Sequence, residues 1–152
     1  MSEWDKFLNN LEREKEERHK KAKDEREAER LRVENSRDRG IEYLQKNVVP
    51  LVDSAKRHCE ARGMKIDVEI TRGTKLGMQK PTVRFQPSAR KKKLNSTDEF
   101  ELTGQSVWIS HDGDELFGQL SDGPIGSATQ KISLGEVEAL LQKSVSDLFA
   151  KL

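Results

Sequence analysis

Cysteine occurs once in the 152 residues, at Cys59, so no disulfide can close within the chain and an oxidising compartment gains no support. Long apolar runs are also missing. No window approaches the ~18 apolar residues of a membrane-spanning helix, and the start, MSEWDKFLNNLEREKEE, lacks the basic and apolar regions of a signal peptide. The expectation is a soluble, cytoplasmic protein with no membrane contact. Aromatic residues are only 5% of the chain, which leaves few side chains for stacking on bases. Glycine and proline are absent from residues 1–39, so nothing there forbids a long helix.

Charge is what the chain has in quantity, 36% of residues, and it is unevenly placed. Residues 1–56 carry 14 bases and 14 acids, 57–94 carry 11 and 3, and 95–152 carry 3 and 10. The net +1 therefore averages a neutral, a basic and an acidic segment. Such a chain does not coat nucleic acid along its whole length, yet it leaves room for one basic surface. Equally, the basic and acidic segments can face each other within the fold or across a homodimer.

From Glu12 to Arg30 no large apolar side chain occurs. Glu14 with Arg18, Glu16 with Lys20 and Glu17 with Lys21 have the favoured acid-first i,i+4 order, each supporting a helix by roughly 0.2–0.5 kcal/mol. Glu29 with Arg32 is one of several i,i+3 pairs. A helix from about Glu3 to Arg37 follows. It has no face to bury along its middle, so it reads as a spacer, a weak coiled-coil arm, or a segment that orders on a partner. Its tip differs: Trp4, Phe7, Leu8 and Leu11 stand at i, i+3, i+4 and i+7, one apolar patch suited to docking in a partner's groove or against its own copy.

Asn35, Ser36 and Gly40 punctuate the end of this run, with Asp38 placed to cap a second helix. Ile41, Leu44, Val48, Leu51, Val52, Ala55 and Cys59 keep one apolar stripe, Pro50 predicts a kink or break near Val48, and Gly63 ends the helix. Period-two alternation then predicts strands at 66–70, 82–86, 99–103, 106–110 and 115–120, with a short one at 129–132. The turns between them are too short for crossover helices. Ser133 to Glu136 has a capping-box pattern, and Val137, Leu140, Leu141, Val145, Leu148 and Leu152 follow on one face. The fold class is α+β: an antiparallel meander of about five strands between a preceding and a C-terminal helix, organised as a charged arm, 1–37, and an α+β domain, 38–152.

No constellation carries a specific chemistry. His111-Asp112-Gly113-Asp114-Glu115 lacks calcium-loop spacing and reads as a hairpin turn. His58 and Cys59 are adjacent, so on a helix they diverge by roughly 100° and do not form a zinc pair; Cys59 reads as a small core residue on the stripe. Arg72 to Gly77 lacks the glycine spacing and Gly-Lys-Ser/Thr of a phosphate loop. No catalytic residue, metal, cofactor or small-molecule substrate is expected. Two surfaces remain as candidates.

The leading expectation is a non-enzymatic protein–protein interaction or assembly module. Its partner is its own copy or another protein, held by Trp4, Phe7, Leu8 and Leu11. Trp108 and Phe117 join them, because they fall on the opposite strand phase from Val107, Ile109, Leu116 and Leu120 and would make an apolar spot on an open sheet face. Phe85 and Phe100 are expected in the core. The alternative is a nucleic-acid-binding module making sequence-independent phosphate contacts through Arg72, Lys75, Lys80 and Arg84 and the run Arg90, Lys91, Lys92 and Lys93 in an inter-strand loop.

Overall fold

A computed structural model describes residues 2–73 and 79–152. The chain divides into two compact units, Met1–Asn35 and Ser36–Leu152. The first is helix alone. Helix α1, Glu3–Tyr43, opens on a cap that the sequence reading passed over. The Asp5 amide donates to the Ser2 hydroxyl oxygen at 3.1 Å, and that hydroxyl donates to the Asp5 carboxylate at 2.8 Å. This is a capping box with aspartate as its acid, and it satisfies an amide that the first turn leaves without a carbonyl. Residues 2–32 are all exposed. Of the expected ion pairs, Glu29–Arg32 closes at 2.6 Å; Arg30–Glu34, a base-first pair that was not expected, forms at 3.2 Å. Glu14–Arg18, Glu16–Lys20 and Glu17–Lys21 do not reach ion-pair distance.

The expected interruption at Asn35 and Ser36 does not occur, because α1 continues to Tyr43. Asparagine and serine carry only a small helix penalty, which burial of the following turn overrides. Gly40 and Ile41 are its buried residues, and Gly40 serves close approach: a Cβ there would lie 3.2 Å from both His111 Nδ1 and Pro81 Cγ. Asp38 caps no second helix and lies 3.8 Å from Arg72. At Pro50 the chain does not break. A π-helical turn, Leu44–Val48, precedes helix α2, Val49–Glu60, and the Val49 amide donates to the Leu44 carbonyl. Proline has no amide to give the carbonyl four residues back, and a widened turn is one way a helix absorbs that loss. Beyond α2, Gly63 takes φ +86°, the left-handed conformation the sequence assigns to it.

The sheet follows as β1 (Lys65–Thr71), β2 (Thr82–Lys92), β3 (Glu99–Thr103), β4 (Ser106–Asp112), β5 (Glu115–Ser121) and β6 (Lys131–Ile132). All its pairings are antiparallel. β1 runs along one edge of β2. The other edge is shared, with β4 opposite Thr82–Phe85 and β3 opposite Ser88–Lys92. β3 and β4 are thus one bulged strand interrupted at Gly104-Gln105, where the register slips by one residue. The outcome is a five-position meander. A two-residue turn, Gly113-Asp114, joins β4 to β5 as the Asp-Gly signal predicts, with Gly113 at φ +63°.

Helix α3, Gly135–Lys151, closes the chain. Its expected capping box does not form, since the Glu136 amide takes the Ser133 carbonyl at 3.0 Å rather than the hydroxyl. Val137, Leu141, Ser144 and Leu148 are buried at helical spacing. The core joins Leu44, Val48 and Val52 to Ile66, Val83, Phe85, Val107, Ile109 and Leu116, with Val137 and Leu141 from α3. The α+β class is therefore observed. Phe100 is a correction: it is 37% exposed. Its strand pairs only with β2 and forms the sheet edge there, away from the core cluster.

The bulge is where α3 meets the sheet. A Cβ on Gly104 would lie 2.5 Å from the Ser144 carbonyl oxygen, so only glycine admits the helix this close. Three α3 side chains then satisfy the irregular backbone: the Ser144 hydroxyl donates to the Gln105 carbonyl, the Gln105 amide to Asp147 at 2.9 Å, and Lys151 Nζ to the Thr103 carbonyl at 2.9 Å.

Candidate interaction surfaces

The arm tip retains the patch that the spacing predicts. Trp4, Phe7, Leu8 and Leu11 are 71, 52, 49 and 44% exposed, a large apolar exposure for four successive positions of one helix face. Trp4 and Phe7 meet edge to face, with ring centroids 5.8 Å apart and planes at 84°. This geometry favours the positive edge of one ring over the negative face of the other, so the two rings hold one another's orientation without being covered.

The basic middle is folded against acids. Arg72 approaches Asp38 at 3.8 Å, Lys80 pairs with Asp112 at 3.3 Å, and Arg90 approaches Glu99 at 3.7 Å. Arg84 is the most engaged, meeting Asp67 at 2.6 Å, Glu69 at 3.3 Å and the side-chain Oε1 of Gln86 at 3.1 Å. Lys91 donates to the Leu152 carbonyl at 2.8 Å. Among the described residues, Lys92 and Lys93 have no such partner, and Lys75 lies outside the described residues. Arg90, Lys91 and Lys92 also stand in β2 rather than in a loop, because the β2–β3 pairing extends to Lys92 opposite Glu99. Their cross-strand neighbours include Glu99 and Glu101. The positive field of this hairpin is thereby reduced where a phosphate would approach.

Trp108 and Phe117 do lie on the sheet face opposite the core, but that face is partly covered. Arg84 reaches over the Trp108 ring at 5.9 Å, and the indole Nε1 is buried without a hydrogen-bond partner. The β5–β6 connection returns across the same face: the Ala128 amide donates to Ser110 Oγ at 2.9 Å and the Thr129 amide to Gln119 Oε1 at 2.8 Å. Ser110 in turn shares a 2.8 Å hydrogen bond with Thr82. Both aromatics are half-buried, a smaller spot than an open sheet face would present.

Two sites escaped the sequence reading. The first is an open groove of about 560 Å³ between α2 and α3, lined by His58, Cys59, Glu138, Gln142 and Val145 among others. Cys59 stands at its wall rather than deep in the core. Burial raises its thiol pKa, with Arg62 opposing, and His58 Nδ1 is 2.7 Å from the Ser54 carbonyl, to which it donates. The second is His111, 5% exposed and stacked on Tyr43 with centroids 4.6 Å apart. Its pKa is lowered chiefly by burial, while Asp114 and Asp112 pull it up and Arg39 pushes it further down. Nδ1 has no hydrogen-bond partner. Period-two alternation does place residue 111 on the core face of β4 with Val107 and Ile109, but its polarity argued for the turn.

Among the described residues, no three His, Cys, Asp or Glu side chains gather to hold a metal ion, and no helix is long and apolar enough to cross a membrane. Set against protein-family models, curated proteins and solved structures, the chain matches none of them.

Proposed function

We propose that this protein is a non-enzymatic assembly module, whose α+β unit is the folded body and whose helical arm docks onto another protein chain. The observation that carries this reading is the exposed Trp4, Phe7, Leu8 and Leu11 patch at the end of a helix that is otherwise polar over residues 12–30. Fully covering one such side chain stabilises an association by roughly 1.5–3 kcal/mol, several-fold more than a surface ion pair. Two of its four side chains are aromatic, the kind of anchor that dominates binding energy. The chemistry elsewhere supports the same reading. Cys59 is held towards its protonated thiol, the opposite of an activated nucleophile, and among the described basic candidates Arg72, Lys80, Arg84 and Arg90 each stand within 4 Å of an acid.

The test is light scattering after size exclusion on the full chain and on Trp4→Ala/Phe7→Ala, with the chain itself as first partner. The expected result is a dimer or larger species that the double substitution returns to monomer. An assembly indifferent to the double substitution would overturn the reading, whereas a monomer at every concentration would leave a different protein as the arm's partner.

A further inference from the structure

The order of charges along α1 says what kind of partner the shaft accepts. Residues 12–17 hold four acids and two bases, 18–23 hold four bases and no acid, 24–29 hold four acids and one base, and 30–37 hold three bases and one acid. The sign alternates in blocks of six to eight residues, and residues 2–32 are all exposed, so the charges as far as Arg32 are available to a second surface, whereas Glu34 and Arg37 are half-buried. Two copies laid parallel and in register would set each block against itself, acid on acid and base on base. Laid antiparallel about a two-fold axis between Lys23 and Asp24, every block meets its opposite: 18–23 faces 29–24 and 12–17 faces 35–30. Lys20 comes level with Glu27 and Lys23 with Asp24, while Lys21 against Arg26 is a like-sign mismatch within that stretch. The middle of the shaft has no apolar seam to dictate orientation, so charge decides it.

Resting on the reading of the arm as a docking element, we propose that its partner is a second copy of this chain, with the two shafts antiparallel and centred between Lys23 and Asp24. The charge blocks set orientation and register, and the tip patch supplies the apolar contact beyond the shaft. Electrostatic complementarity of this kind selects partner and register more than it adds affinity. The alternative use of such blocks is a solitary helix braced by its own i,i+4 pairs, yet the acid-first pairs of residues 14–21 remain open, and among the described residues of the arm the closed pairs are the i,i+3 pair Glu29–Arg32 and the base-first pair Arg30–Glu34.

Disulfide mapping on full-length protein tests this, in a Cys59→Ser background so that the only thiols are those introduced. Glu12→Cys and Asn35→Cys are made separately. In the antiparallel pair residue 12 lies near residue 35 of the other copy, whereas two residues 12 stand about 35 Å apart at ~1.5 Å per residue. Oxidising a mixture of the two proteins is expected to give the mixed disulfide as the main product, with Glu12→Cys alone staying unlinked. A self-linked Glu12→Cys product would show parallel arms, and no cross-link in a dimeric sample would place the contact off the shaft. Either outcome, or a full chain that stays monomeric, overturns this inference while leaving the arm's docking role standing.

The sign of a charge reversal gives a second readout. Lys20→Glu/Lys21→Glu/Lys23→Glu weakens an antiparallel dimer several-fold, because 18–23 then repels 24–29. It strengthens a parallel one, where the strongest like-charge block is relieved. Raising salt to about 1 M, where the Debye length is near 3 Å, should shrink the difference between this variant and the parent.

Discussion

Protonation of His111 would place an imidazolium beneath Tyr43 with no hydrogen-bond acceptor at Nδ1, and burial accordingly lowers its pKa below 6.5. The unfolded chain then binds a proton that the folded chain refuses. Stability from this group is full above about pH 6.5 and is lost progressively as pH falls from there through the lowered folded-state value. Urea unfolding midpoints should therefore drop between about pH 7 and pH 5, and His111→Phe, which keeps a ring on Tyr43 and removes the unpaired nitrogen, should flatten the drop. An unchanged slope would assign the acid sensitivity to other groups. Gly104 marks a steric limit instead of an electrostatic one. Gly104→Ala sets a methyl 2.5 Å from the Ser144 carbonyl, a backbone atom that cannot swing away. It should cost about 1–3 kcal/mol in denaturant unfolding, as overpacked cores do.

Among the elements, α1 depends on its cap because nothing covers its first turns. Ser2→Ala removes the acceptor of the Asp5 amide and one partner of the Asp5 carboxylate, a loss of about 0.5–2 kcal/mol in local helix stability. Amide exchange should quicken over the first turn and leave the sheet amides unchanged, and quickening throughout would argue that the two units unfold together. Helix α2 is read by its cysteine. With its thiol pKa raised by burial, Cys59 should alkylate more slowly than an unhindered thiol at neutral pH and gain rate only at higher pH. Fast alkylation at neutral pH would contradict the raised thiol pKa.

The elements were legible where one face is buried and periodicity records it: α3, the Ile66–Val68 alternation of β1 and the stripe from Leu44 to Cys59 stand where the residue pattern puts them, while Ile70 and Leu152, at the ends of their elements, are exposed. They were not legible where long-range packing overrides a local signal. Gly40 reads as punctuation, yet it is the point where the helix touches His111 and Pro81. Gly104 gives no hint on its own that β3 and β4 are a single bulged strand.

For the whole molecule, the basic and acidic segments are partly reconciled by the fold. Lys80 with Asp112 and Arg90 with Glu99 join residues 57–94 to residues 95–152, and Arg84 is held within its own segment by Asp67 and Glu69. Size exclusion with a short duplex or a single strand should show no co-elution at about 0.15 M salt, where exposed charges are screened beyond about 8 Å. Retention that weakens steeply with salt and vanishes when Arg90, Lys91, Lys92 and Lys93 are neutralised would instead make this hairpin the functional surface. Trp4→Ala/Phe7→Ala should shift the unfolding of the α+β unit by no more than about 0.5 kcal/mol, as surface changes do, while dissolving the assembly.

The sequence by itself determined the α+β class, the meander, the polar shaft and its apolar tip, because each is written in a periodicity that one buried or one exposed face imposes. The order of charges in the shaft is likewise a property of the residues alone. Only the tertiary structure decided that helix α1 runs past Ser36, that Arg84 is occupied while Lys92 and Lys93 have no partner among the described residues, that Trp108 lies beneath Arg84, and that His111 is buried. These depend on which distant residues meet across the sheet, and a side chain's neighbours thirty residues away leave no mark on the local pattern that announces its element.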